Sequence, residues 1–260
     1  MTILLACLSR VRAETNDLRI TDVSFTATCD GTEQRYVVML PSGFKPKRPY
    51  DLLIALHGHG SDRWQFISDP RDECRAARDV AAEHGMIYVS PDYRAKTSWM
   101  GPNAEADLLQ IIGGLKKKYR VSRVFLCGGS MGGTASLTFT MLHPKLVDGV
   151  ASMNGTANLV EFDGFTDSIA ASFGGSKTAV PDEYKKRSAE FWPERFRMPV
   201  GITASGRDTT VPPQSVMRLS DALKARGRKV LLIYRAEAGH STDYDDARSI
   251  LEFVIQKRGR

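Results

Sequence analysis

With 260 residues, 42% of them hydrophobic and 25% charged, the chain has the length and balance of one globular α/β domain rather than of a disordered or low-complexity protein. No apolar run approaches the roughly eighteen residues of a membrane span, which excludes integral membrane association through a helix. The net charge of +6 is dispersed over residues 45–48, 116–118 and 257–258, so it predicts solvated surface and no nucleic-acid partner.

Residues 3–8 form a short apolar run, and Val11, Arg12 and Ala13 before Glu14 resemble a signal-peptidase site, although no basic segment precedes them. Residues 1–13 are therefore read as a possible signal peptide remnant. That reading implies a secreted or periplasmic protein, with a cytoplasmic one as the alternative, and leaves residues 14–260 as a single domain. Cleavage would remove Cys7; Cys29, Cys74 and Cys127 are expected as free thiols, a Cys29–Cys74 bridge being the alternative in an oxidising compartment. No C-x-x-C or cysteine–histidine spacing suggests a metal site.

Alternation over residues 23–28 and 36–40, either side of Asp30 and Gly31, predicts a hairpin. Residues 52–56 and 87–90 are apolar on both faces, as parallel strands covered by helices require, and residues 71–83 supply the helix between them. The rhythm continues with helix 104–117, strand 124–127, helix 133–142 and strand 149–153. After a break come strand 200–204, helix 214–225, strand 230–234 and helix 244–256. This order implies an α/β fold: a mostly parallel sheet of about eight strands, helices on both faces, and the hairpin antiparallel at one edge. The break, residues 154–199, follows the sixth strand and is too long for a plain connection. It is read as a small cap-like excursion over the pocket.

Gly128-Gly129-Ser130-Met131-Gly132 lies between the strand at 124–127 and the helix at 133–142. A G-x-S-x-G in that setting is the pattern of a nucleophile elbow, a turn tight enough to demand small residues around the serine. A serine hydroxyl needs a base, and the base needs an acid that holds its tautomer. Of five histidines, only His143 and His240 follow the serine; His143 ends a helix before Pro144 and is read as a helix-terminal residue. His240 follows strand 230–234 on the edge where open α/β sheets place their ligands, so it is the candidate base. Asp208, just past strand 200–204 on the same edge, is the candidate acid, with an N-cap role as its structural alternative. Asp163 and Asp167 are the fallback acids.

An oxyanion needs two donors. The amide of Met131, after the serine, is one candidate; His59, in the glycine-rich stretch His57-Gly58-His59-Gly60, is the other, with Gly58 as its neighbouring alternative. Gly58 and Trp99 are also candidates for substrate binding, Trp99 because it follows the fourth strand on the same edge. A metal held by His57 and His59 finds no third ligand in the sequence.

Taken together, His57-Gly58-His59-Gly60, Gly128-Gly129-Ser130-Met131-Gly132, Gly206-Arg207-Asp208-Thr209-Thr210-Val211-Pro212 and Gly239-His240 resemble the α/β-hydrolase superfamily. Within it the chain resembles the compact esterase branch of feruloyl and acetylxylan esterases and the related prolyl oligopeptidase-type catalytic domain, over about residues 33–256. Many members carry His or Glu where Gly129 stands, a departure that leaves the mechanism intact and alters the pocket floor. The resemblance implies acyl transfer without a cofactor: a serine carboxylesterase acting on small-molecule or carbohydrate-linked acyl esters. A prolyl oligopeptidase-type peptidase is the first alternative, disfavoured because the chain leaves no room for a large N-terminal propeller. Thioesterase or lipase activity and a catalytically silent binding module are the others.

Overall fold

The computed structural model describes residues 19–256. The segment read as a signal remnant, and Cys7 within it, lie outside them. The sequence between builds an eight-stranded sheet in the order β1-β2-β4-β3-β5-β6-β7-β8. β1 (Arg19–Thr26) and β2 (Glu33–Leu40) form the expected hairpin, with Phe25 opposite Gln34, and β2 pairs antiparallel with β4 (Ile87–Pro91). From β4 onward every pairing is parallel, through β3 (Tyr50–Leu56), β5 (Val121–Gly129), β6 (Gly149–Met153), β7 (Val200–Ser205) and β8 (Val230–Arg235). The buried character of β4, β6 and β7 along their whole length is the reason these segments read as continuous apolar runs rather than alternating ones.

Helices cover both faces. α2 (Asp72–Glu83) and α8 (Tyr244–Ile255) pack against each other on one face, where Ala76, Ala77 and Ala81 of α2 permit a close approach. α3 (Pro102–Lys118), α4 (Met131–Leu142) and α7 (Gln214–Ala225) cover the other, over a core that includes Leu108, Phe139 and Leu219. A short helix, α1 (Gln65–Ser68), precedes α2 and was not visible as a periodic segment. No helix among the described residues is long and apolar enough to cross a membrane. Cys74 and Cys127 are buried free thiols and Cys29 is exposed; burial pushes the Cys74 thiol up to about 12, leaving it inert at neutral pH.

Residues 154–199 are ordered, carrying α5 (Thr166–Phe173), α6 (Pro181–Arg187) and two 3-10 turns. Their anchor is Arg187, whose side chain is fully buried. Its Nη1 donates to Met100 O at 2.7 Å, its Nε donates to Glu183 at 2.7 Å, and its Nη2 lies 2.8 Å from Glu105 on α3. Glu105 also meets His143 at 2.8 Å, which accounts for that histidine as a helix-end residue. Burial opposes the Glu105 charge, but the hydrogen bond from His143 and the charge of Arg187 outweigh it and hold the carboxyl below the ordinary glutamate range.

Arg187→Met removes one partner from each of Glu105 and Glu183 and is expected to lower the unfolding free energy by about 3–5 kcal/mol, read by urea denaturation. A depressed carboxyl contributes stability that is present above its unfolded value, about 4.3 for Glu, and lost as pH falls through the folded one. The variant therefore also loses less stability on acidification than the parent; an unchanged acid slope would show that Glu105 does not depend on this pair.

Candidate active site

Ser130 stands at φ 57 and ψ −119, a conformation costly for any residue with a Cβ, between the end of β5 and the first residue of α4. Its neighbours explain how the turn closes. A Cβ on Gly132 would lie 1.9 Å from Leu56 O, and one on Gly128 would lie 2.5 Å from Gly132 C, so α4 packs directly on the ends of β3 and β5 only because these positions are glycine. Gly129 is under no such constraint: a Cβ there would meet the Glu73 side chain at 3.8 Å, an ordinary contact. The Ser130 amide donates to Met153 O at 2.8 Å, pinning the elbow to β6.

Asp208 and His240 arrive on loops that follow β7 and β8. These loops are zipped together, with Gly206 N donating to Arg235 O and Arg207 N donating to Ala238 O at 2.8 and 2.9 Å. A Cβ at Gly206 would lie 2.4 Å from Ala236 O, so this approach also requires glycine. Asp208 is buried and does two things at once. Its Oδ1 accepts from the amides of Thr210 and Val211 at 3.0 and 2.8 Å, and its Oδ2 lies 2.6 Å from His240 Nδ1. Asp208 does not cap the following helix, since α7 begins only at Gln214 with Pro213 before it; its Oδ1 closes its own loop turn while Oδ2 faces His240. A carboxylate oxygen only accepts, so His240 Nδ1 donates, and Nε2 is left to accept from Ser130 Oγ at 2.9 Å. The arrangement can draw a proton from the serine hydroxyl and hold the resulting imidazolium.

These groups open into a cavity of about 380 Å³ lined by Gly58, His59, Gln65, Arg71, Glu73, Gly129, Ser130, Asn154, Phe165, Thr210 and His240, among others. The Gly58 amide donates to Gln65 Oε1 at 2.7 Å and is thereby occupied. Among the described residues the His59 and Met131 amides have no acceptor, and Met131 N heads α4, where the helix dipole favours negative charge. Trp99 does not line the cavity. It is fully buried, at the strained backbone of Trp99 and Met100 (φ 43 and 58), and stands behind His59, donating from Nε1 to His59 Nδ1 at 3.1 Å. Indole N–H only donates, so His59 Nδ1 carries no proton, consistent with burial holding that imidazole below its ordinary range. Phe165, from the excursion, packs tilted against the His59 ring, with centroids 4.2 Å apart and planes at 38°.

The remaining sequence candidates lie elsewhere. His57 is buried, its ring between Gly58 O and Asp92 O at 2.8 and 3.1 Å, so it does not share a donor set with His59. Asp163 is exposed and pairs with Lys177 at 2.8 Å. Gln65, Arg71, Glu73 and Asn154 were not singled out by sequence. Only Asn154 carried a signal, its position immediately after a strand on the catalytic edge.

A model of the prolyl oligopeptidase family matches residues 74–258. No curated protein sequence matches the chain. Among solved structures, the fold is similar to FphF, a fluorophosphonate-binding serine hydrolase of Staphylococcus aureus with substrate bound: TM-score 0.72, 17% identity, covering 92% of this chain and 99% of that one. It is also similar to a ferulic acid esterase, at TM-score 0.65 and 16% identity over 90% and 95% of the two chains. The acylaminoacyl peptidase of Pyrococcus horikoshii gives TM-score 0.68 and 15% identity, covering 92% of this chain. The chain spans only 40% of that peptidase, and 35% of a Bacteroides ovatus chain assigned to the dipeptidyl aminopeptidase IV class.

The contrast between the two glycines flanking the elbow is testable by unfolding. Gly132→Ala is expected to lose at least about 1–3 kcal/mol, since backbone must move to admit the methyl group. Gly129→Ala is expected to stay within about 0.5 kcal/mol of the parent, and equal losses would mean that contact with Leu56 O does not set the turn.

Proposed function

From a chain that belongs to the prolyl oligopeptidase family and is a serine hydrolase of the α/β-hydrolase fold, we propose a carboxylesterase that hydrolyses small or carbohydrate-linked acyl esters, with Ser130, His240 and Asp208 as its triad. The observation that carries this reading is the 2.9 Å and 2.6 Å relay from Ser130 through His240 to Asp208, opening into a cavity of about 380 Å³. That volume is near the lower end of ligand pockets, roughly 300–1,000 Å³, and suits a small acyl group. One wall is aromatic, made by His59 and Phe165. The similar fold of a ferulic acid esterase supports an ester substrate without setting its acyl group.

The steps follow from the geometry. Ser130 Oγ attacks the ester carbonyl as its proton passes to His240 Nε2, and the carbonyl oxygen becomes an oxyanion facing the amides of His59 and Met131. Collapse expels the alcohol, which takes the proton from His240 and leaves Ser130 acylated. Water then attacks by the same route, releasing the acid and restoring the hydroxyl. Asp208 holds the imidazole with Nδ1–H inward throughout. Residues 154–199 serve as a small cap on the single domain 14–260, since they supply Phe165 to the cavity wall. Export by way of residues 1–13 belongs to the same reading, and the mass of the mature chain checks it.

One observation favours a second reading. Glu73, beside Gly129, and Arg71, 3.8 Å from Glu73, place charges in the cavity wall, which suits a charged acyl group such as an aminoacyl or peptidyl one. Turnover of aryl acetates, feruloylated or acetylated sugars, acyl thioesters and peptide amides separates the two. Esters are expected to lead; faster amide than ester cleavage overturns the proposal. Ser130→Ala and His240→Ala are expected to lose about 10⁴-fold or more in kcat, and Asp208→Asn about 10³–10⁴-fold.

A further inference from the structure

Behind the triad lies a buried polar cluster that the mechanism above does not use. Asn154, the residue after β6, is buried and has φ 47, left-handed backbone that most side chains avoid. Its amide side chain reaches across the strand ends. Nδ2 donates to Ser205 Oγ at 2.8 Å and to Asp208 Oδ2 at 3.4 Å, the same carboxylate oxygen that accepts from His240. Oδ1 accepts from Thr242 Oγ1, and Thr203 Oγ1 meets Thr242 Oγ1 at 2.7 Å. Ser205 Oγ donates onward to Ser241 O at 3.3 Å, next to His240. One side chain thus ties the acid loop after β7 to the histidine loop after β8.

We propose that Asn154 is a positioning residue for the Asp208–His240 pair. Resting on the triad assigned above, the inference is that Asn154 sets where Asp208 Oδ2 stands, and through Thr242 where His240 stands. Asp208 accepts two backbone amides on Oδ1, which fix one oxygen but leave the carboxyl free to turn about that edge. The Nδ2 contact fixes the second oxygen toward His240. A primary amide suits the place because one end donates to the acid side while the other accepts from the histidine side; no hydroxyl or carboxylate does both at that reach.

A left-handed backbone position admits a bland explanation, namely that Asn is there because it tolerates φ above zero. Two variants separate the explanations. Asn154→Gly keeps the backbone comfortable and deletes the amide. It is expected to lower kcat on an aryl ester by about 10- to 100-fold, with KM changed less than about twofold, in line with the cost of a misplaced catalytic group. Asn154→Asp keeps the shape but sets a second carboxyl beside Asp208. The acidic limb of its kcat/KM profile is expected to move up by about one pH unit, because the added negative charge favours protonated His240. The other ionisable groups lining the cavity, Arg71, Glu73 and His59, are unchanged in both variants. Circular dichroism and melting temperature show that the variants fold.

If Asn154→Gly keeps kcat within twofold and Asn154→Asp leaves the profile in place, while Ser130→Ala remains inactive, the positioning role is wrong and the triad stands. If Ser130→Ala retains wild-type turnover, the triad reading falls and this inference falls with it.

Discussion

The structure depends on one close approach, that of Gly132 to the carbonyl of Leu56. A methyl group at Gly132 would sit 1.9 Å from that oxygen, so the N-terminus of α4 can press against the end of β3 only with hydrogen there. The approach turns the chain sharply at Ser130 and places the serine at φ 57 and ψ −119. It also leaves the Met131 amide at the head of α4 without an acceptor among the described residues. Strain of this kind, on the order of 1–3 kcal/mol, persists only where surrounding packing over-determines it. Here the packing consists of buried strands on both sides and a direct bond from the Ser130 amide to Met153 O.

Everything else in the site converges on that serine from distant parts of the chain. His240 lies 110 residues from Ser130 in sequence, and Asp208 lies 32 residues before His240. What brings them together is the parallel arrangement of β5, β6, β7 and β8, which puts the loops after successive strands on one edge. Backbone bonds between the loops after β7 and β8 then hold register at the scale of the hydrogen bonds themselves. The aromatic side of the cavity is assembled differently, by Trp99 locking the His59 ring and Phe165 packing tilted against it from the excursion.

Much of this was legible in the residues. Strands buried on both faces announce themselves as unbroken apolar runs, and the glycines of Gly128-Gly129-Ser130-Met131-Gly132 mark a turn whose steric reason the structure supplies. Trp99 shows where such reading stops. Its place after β4 locates it on the right edge, but two successive left-handed residues turn the side chain inward, and no pattern in sequence reports that. Gly58 was the neighbouring alternative to His59 as amide donor; its amide is taken by Gln65, seven residues on in a four-residue helix. The helices of the excursion are short and take their stability from contacts such as Arg187 with Glu105 rather than from their own periodicity. Asn154 escaped because its role is defined by what it touches across strands.

That Ser130 is the activated group is tested most directly by chemical mapping. The protein is treated with a fluorophosphonate, digested, and its peptides sequenced by mass spectrometry. A single phosphonyl adduct is expected, on the Oγ of Ser130 in the segment that joins β5 to α4. An adduct on another serine, or none on protein shown to be folded, would contradict it.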